Sequence, residues 1–252
     1  MKKTEKTNTF KKENIMLKIE NLTKKYGEKK AVDNLSLHIK AGEMYAFIGH
    51  NGAGKTTTIK SCVGLLDFDE GEIYINGKSI KESPIECKKQ IAYIPDNPDL
   101  YEFMSGIKYL KFIADIYGVS KEDREERVKK YGDMLEITES LAQPISSYSH
   151  GMKQKIAIIS ALIHDPKLLI MDEPFVGLDP KASFLLKEEM RRICENGGAI
   201  FFSTHVLDVA EKICDKIAII KGGALVRSGS MDEVKGDESL ESVFLELEGE
   251  DA

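Results

Sequence analysis

The stretch MYAFIGHNGAGKTTTIK, residues 44–60, decides how the rest of the chain is read. Met44, Tyr45, Ala46, Phe47 and Ile48 form a short unbroken apolar run, the pattern of a parallel strand buried on both faces. Gly49, His50, Asn51, Gly52, Ala53, Gly54, Lys55 and Thr56 then fit the phosphate-binding loop pattern G-x-x-x-x-G-K-[ST]. Ile59, Cys62 and Val63 follow at helical spacing, so strand, loop and helix come in the order such a site requires. Glycines let the backbone curl until successive N–H groups point at phosphate oxygens, and the helix N-terminus adds its positive dipole end. Lys55 can bridge the terminal phosphates and the Thr56 hydroxyl can ligate Mg²⁺, with Thr57 beside them in the first helical turn. The stretch therefore implies a bound nucleoside triphosphate.

Outward from this loop, composition narrows the class. At 252 residues the chain can bury a large core, and 42% hydrophobic with 31% charged residues describes an ordinary globular protein. A formal net charge of −6 supplies no electrostatic attraction for nucleic acid. The four cysteines are scattered and read as reduced, core-filling thiols. No apolar run approaches the ~18 residues that a bilayer crossing needs. Residues 1–15 are Lys-rich without a signal-peptide apolar segment and are expected to be a flexible tail.

Strand patterns recur at residues 16–22, 35–39, 72–75, 91–94, 168–171, 199–203, 217–220 and 224–227, the last two as a hairpin around Gly222 and Gly223. Tyr26 precedes a turn glycine and is either a turn aromatic or a flat surface for a purine ring. Between about residues 98 and 162 the pattern turns helical: Tyr109, Leu110, Ile113, Ile116 and Tyr117 are spaced for one helix that Gly118 stops. Ser120 with Asp123 resembles a capping box for the next. Residues 240–247 read as an amphipathic helix. Strands alternating with helices predict an α/β fold with a mostly parallel sheet and an inserted helical lobe.

A second chemical signal is Asp172-Glu173 at the end of the apolar run 168–171. An Asp there can hold Mg²⁺ opposite Thr56, and the adjacent carboxylate can orient and polarise the attacking water.

With these two motifs together, the chain resembles the nucleotide-binding subunit of an ATP-binding cassette (ABC) transporter over residues 16–227. Tyr26 matches the adenine-stacking aromatic, Gly49 to Thr56 the Walker A loop, and Leu168 to Glu173 the Walker B strand with its catalytic Glu. Tyr148-Ser149-His150-Gly151-Met152 falls on the signature motif, usually Leu-Ser-Gly-Gly-Gln. Gly177-Leu178-Asp179-Pro180 matches the D-loop and His205 the switch histidine that contacts the γ-phosphate. Asp96 stands where the family usually has Gln and is a metal and catalytic candidate, although its charge opposes the γ-phosphate.

The resemblance implies a P-loop NTPase core with an antiparallel β-subdomain and an inserted helical subdomain. On this reading the ATPase domain spans residues 16–228, its helical insertion about 98–162, and a C-terminal helical tail 229–252. It also implies ATP and Mg²⁺ as ligands, and a sandwich in which Ser149 and Gly151 of one subunit face the ATP on Walker A of the other. The expected partners are a second cassette subunit, with a second copy of this chain favoured, and an integral-membrane permease. Together they place the chain at the cytoplasmic face of the membrane. The ending at residues 239–247 is similar to that of exporter-type cassette subunits. The alternative is a cassette ATPase acting on a soluble complex.

Overall fold

The computed structural model describes residues 14–249. The expected tail lies outside the described residues up to residue 13, and Ile15 already opens the first strand.

Two sheets organise the chain. The first is antiparallel, in the order β2-β1-β4-β5, built from β1 (Ile15–Tyr26), β2 (Lys29–Lys40), β4 (Glu70–Ile75) and the short β5 (Lys78–Ser79). β1 and β2 are longer than the apolar alternation predicts. Their last pairs, Lys25↔Lys30 and Tyr26↔Lys29, form a solvent-facing hairpin end whose residues carry no period-2 signal.

The second sheet runs β10-β9-β3-β8-β7-β6. Its strands are β3 (Met44–Ile48), β6 (Ile91–Ile94), β7 (Leu168–Asp172), β8 (Ala199–Thr204), β9 (Lys216–Lys221) and β10 (Ala224–Ser230). All neighbours are parallel except β10, which returns antiparallel on β9. Every residue of β3, β7 and β8 is buried, because helices or the other sheet cover both faces.

The faces divide by alternation. Tyr45 and Phe47 point with Phe201 and Ile170 toward α1 (Lys55–Cys62) and the antiparallel sheet. Met44, Ala46 and Ile48 point with Met171 and Phe202 toward the remaining helices. α2 (Pro84–Lys88) is a single turn leading into β6.

Between β6 and β7 lie α3 (Gly106–Ile116), α4 (Lys121–Met134), two 3₁₀ turns and α5 (His150–Leu162). Ser120 caps α4 by accepting the Asp123 N–H at 3.1 Å, and Gly118 ends the preceding turn at φ +68°. α6 (Pro180–Glu195) and α7 (Leu207–Ile213) have no counterpart among the predicted elements, whereas α8 (Met231–Lys235) lies within residues 229–252, where helix was expected. α6 nonetheless carries a legible start, an Asp179 N-cap followed by Pro180 at the first helical position.

The C-terminal segment does not trail from the body. α9 (Leu240–Gly249) buries Leu240, Val243 and Phe244, each worth about 1.5–3 kcal/mol of apolar burial, and the Phe244 ring lies 4.9 Å from that of His50 in the phosphate loop. The Lys221 ammonium also donates to the Leu247 carbonyl at 2.9 Å.

Because β3, β7 and β8 are parallel and in register, with Ile48 opposite Thr204 and Asp172 opposite Ser203, their C-terminal ends meet along one edge. That edge is where an open α/β sheet presents its ligand site.

Candidate active site

The loop after β3 curls over the start of α1 as its glycines allow. Gly54 sits at φ +110° as the N-cap of α1, and a Cβ there would stand 2.3 Å from the Ala31 carbonyl oxygen. A Cβ on Gly49 would meet the Ile220 carbonyl oxygen at 2.5 Å. No side chain caps α1, so its first N–H groups and its dipole are left for a ligand. The buried Lys55 ammonium donates to the Gly49 and His50 carbonyls at 2.5 and 3.1 Å. Burial pulls its pKa below the ordinary lysine value, against the opposing pull of Glu173 and Asp172.

Asp172, buried at the end of β7, is held from both sides. Thr56 Oγ1 donates to Oδ2 at 2.6 Å, and the Ser203 hydroxyl donates to Oδ1. Glu173, the next residue, leaves the strand at φ +48°, a left-handed conformation that costs energy in a residue with a Cβ. Its N–H is anchored to the Ser203 carbonyl and hydroxyl at 3.3 and 3.1 Å. The turn aims the carboxylate back over the loop: Oε2 lies 3.0 Å from His205 Nδ1 and Oε1 4.0 Å from the Lys55 ammonium.

One cleft is lined by Tyr26, His50, Asn51, Gly52, Gly54, Lys55, Thr56, Thr57, Asp96, Asp172 and Glu173. Gly49 and the buried Ala53 form the loop's underside. Tyr26 is exposed at the cleft's rim, with the Lys24 ammonium 5.4 Å from its ring centre. The donor set fits Mg²⁺: a hydroxyl and a carboxylate in contact, with a second carboxylate on Asp96 in the same cleft, are hard oxygen ligands that leave positions for phosphate oxygens. Among the described residues no cluster of three or more His, Cys, Asp or Glu could hold a metal.

The remaining predicted residues lie elsewhere. The Ser149 hydroxyl accepts the Met152 N–H at 3.3 Å as the N-cap of α5. A Cβ on Gly151 would stand 2.9 Å from the Gly177 carbonyl oxygen, and the His150 ring fills the space beside Gly177. Asp179 accepts the Ala182 N–H at 2.8 Å and pairs with Lys155 at 2.9 Å, which together hold its carboxyl below the usual range. None of Ser149, Gly151 and Asp179 lines the cleft, and His205 reaches it only through Glu173.

Ser203, which ties Asp172 to Glu173, was not among the predicted site residues, nor were Lys29 and Ala31, which line the cleft. Ser203 had a signal, a hydroxyl at the end of an otherwise apolar strand. Lys29 and Ala31 had none, because a hairpin from the other sheet brings them there.

Comparison with known proteins agrees with this geometry. The profile described as "ABC transporter" matches residues 32–176. The chain is 36% identical over 242 residues to the ABC-type transporter ATP-binding protein EcsA of Bacillus subtilis (strain 168), covering 94% of this chain and 98% of that one. Among solved structures, an ATP-binding subunit of an ABC transporter superposes with a TM-score of 0.89 at 35% identity, covering 92% and 99% of the two chains. An ATP-binding cassette solved as a dimer in a post-hydrolysis state bound to ADP and Pi superposes with a TM-score of 0.78 at 25% identity, covering 86% and 99%. A loop shaped for phosphates, a buried carboxylate tied to its threonine, a second carboxylate turned over the loop and these likenesses converge: the chain belongs to the ABC transporter family of ATP-binding proteins and is an ATPase.

Proposed function

We propose that this chain powers export through a separate membrane permease, by closing as a dimer of two cassette subunits around ATP and opening after hydrolysis. The observation that carries the dimer is the division of the site. Lys55, Thr56, Asp172, Glu173 and His205 share one corner, whereas Ser149, Gly151 and Asp179 stand outside the cleft of their own chain. A signature helix N-terminus outside its own cleft suits a phosphate held by another subunit, and a second copy of this chain supplies both halves.

In the closed dimer Lys55 and the loop N–H groups bind the phosphates, and Tyr26 stacks on the base. Glu173 orients the attacking water and accepts its proton, while His205 fixes the carboxylate and reaches toward the γ-phosphate. Thr56, Asp172 and Asp96 would hold Mg²⁺, which when bound would neutralise charge on the phosphate oxygens.

The permease reading rests on an apolar surface. Phe103 is 85% exposed and stacks on Tyr101, whose ring also meets Phe112 of α3, with exposed Ile116 on the same helix. A soluble surface seldom keeps such a patch without a partner. Among the described residues no helix is long and apolar enough to cross a membrane, so the spanning segments in this scheme belong to the permease. Export, rather than import, rests on the likeness of residues 239–247 to exporter-type subunits.

Extraction of membranes in detergent with this chain as bait should recover a multi-span protein, and Phe103→Glu should release it while ATP binding persists. Loading inside-out vesicles with the complex then tests direction, since ATP added outside should drive cargo inward. Recovery of soluble partners alone, or equal retention of the Phe103→Glu chain, would overturn the permease reading.

A further inference from the structure

One buried polar group lies on β6, the strand that leads to Asp96. Tyr93 lies on β6 opposite Ile170 of β7, so it shares a face with Ile170 and, two residues on, with Asp172. Its ring packs with the core beneath α1, and its hydroxyl is buried without a hydrogen-bond partner among the described residues. A phenylalanine would fill the same volume without stranding a donor, so the hydroxyl is a cost to the fold as it stands.

Its surroundings are anionic. Burial raises the phenol pKa well above its ordinary value, and the carboxylates of Asp172 and Asp96 raise it further. The group is therefore a neutral donor beside two acceptors. Asp172 already accepts one hydrogen bond on each oxygen, from Thr56 and Ser203. Asp96 follows β6 after Pro95 and lines the cleft from its exposed side.

We propose that Tyr93 is a positioning residue for Asp96: when nucleotide and Mg²⁺ bind, its hydroxyl, unpartnered in the ligand-free chain, donates to the Asp96 carboxylate and holds it toward the Mg²⁺ and γ-phosphate end of the cleft. Asp is a methylene shorter than the Gln usual at this place in the family. A fixed donor beneath it supplies the orientation that a longer side chain would otherwise find by reach. The donated hydrogen bond also spreads the carboxylate charge, which eases its approach to an anionic phosphate. This inference rests on the proposed metal role of Asp96.

The test compares Tyr93→Phe, Asp96→Asn and the double variant with the unaltered chain, in two Mg²⁺ titrations. One follows ATPase rate and the other follows calorimetric binding of a non-hydrolysable ATP analogue. Tyr93→Phe should raise the half-saturating Mg²⁺ concentration about ten-fold in both, the low end of the scale of one hydrogen bond to a charged group. Thermal unfolding without nucleotide should stay at or above that of the unaltered chain, because only an unpartnered donor is lost. Asp96→Asn should also shift the Mg²⁺ requirement, and the double variant should match Asp96→Asn. Coincident Mg²⁺ curves for Tyr93→Phe beside a shifted Asp96→Asn would overturn the positioning role alone. Full additivity in the double variant would do the same. An unshifted Asp96→Asn would overturn the metal role of Asp96 and this inference with it.

Discussion

The cleft and the signature surface are built to different standards. In the cleft each group is locked by another. Thr56 and Ser203 hold Asp172, Ser203 also anchors the Glu173 backbone, and Glu173 sits between His205 and Lys55. At the signature surface the polar groups serve their own helices: Ser149 caps α5, Asp179 caps α6, and Lys155 ties the two together. The first half is organised before any ligand arrives. The second is held in place as a rigid surface, and under the proposed dimer its contribution to the reaction waits for another subunit. The difference teaches that a single chain can be preorganised for hydrolysis chemistry at one site while the groups assigned to the proposed partner's site serve its own helices.

This contrast can be broken most sharply at Glu173. If the cleft half supplies the general base, Glu173→Gln should lower ATP turnover by at least about 100-fold while nucleotide binding persists, and ATP-bound dimers should accumulate in light scattering. Undiminished hydrolysis would move the base elsewhere.

Ser149→Ala probes the other half and should act only between subunits. Loss of one hydrogen bond to a charged phosphate should weaken ATP-driven dimerisation by about ten-fold, with nucleotide affinity of the monomer unchanged. Since Ser149 also caps α5, the thermal stability of the monomer measures the capping loss separately. Equal dimerisation would remove Ser149 from the trans site.

The smallest effect belongs to Asp179, which caps α6 and pairs with Lys155. Asp179→Ala should cost about 1 kcal/mol through the lost cap, seen as a melting temperature lower by about 2–4 °C. The carboxyl pKa is depressed in the folded chain, chiefly by the Ala182 N–H and then by Lys155. Its contribution is therefore complete above the ordinary carboxylate range and is lost as pH falls through the folded value. The difference in melting temperature between Asp179→Ala and the unaltered chain should vanish in acid. A difference that persists there would exclude the ionised cap as its source.

Legibility followed locality. The phosphate loop, the apolar strands and the Asp172-Glu173 pair were readable because strand burial and phosphate binding both act on contiguous residues. α6 is less legible although Asp179 and Pro180 signal its start, because an exposed Phe184 and a buried Glu189 blur its apolar stripe. The long hairpin of β1 and β2 exceeds what the alternation shows because its last two pairs, Lys25↔Lys30 and Tyr26↔Lys29, are exposed and leave no apolar period. Lys29 and Ala31 could not be placed in the cleft at all from their spacing, since they arrive from the other sheet.

By itself the sequence determined that a nucleoside triphosphate is bound, that the core is an α/β sheet and that a carboxylate pair stands at the end of a buried strand, because short-range patterning carries each of these. Only the tertiary structure decided that Glu173 turns left-handed to face His205 and Lys55, that Ser203 joins the two carboxylate residues, and that Tyr93 buries an unpartnered hydroxyl among the groups beneath α1. These depend on which strands become neighbours and in what register. Hydrogen bonding and close packing across a sheet settle that choice among residues far apart in the chain.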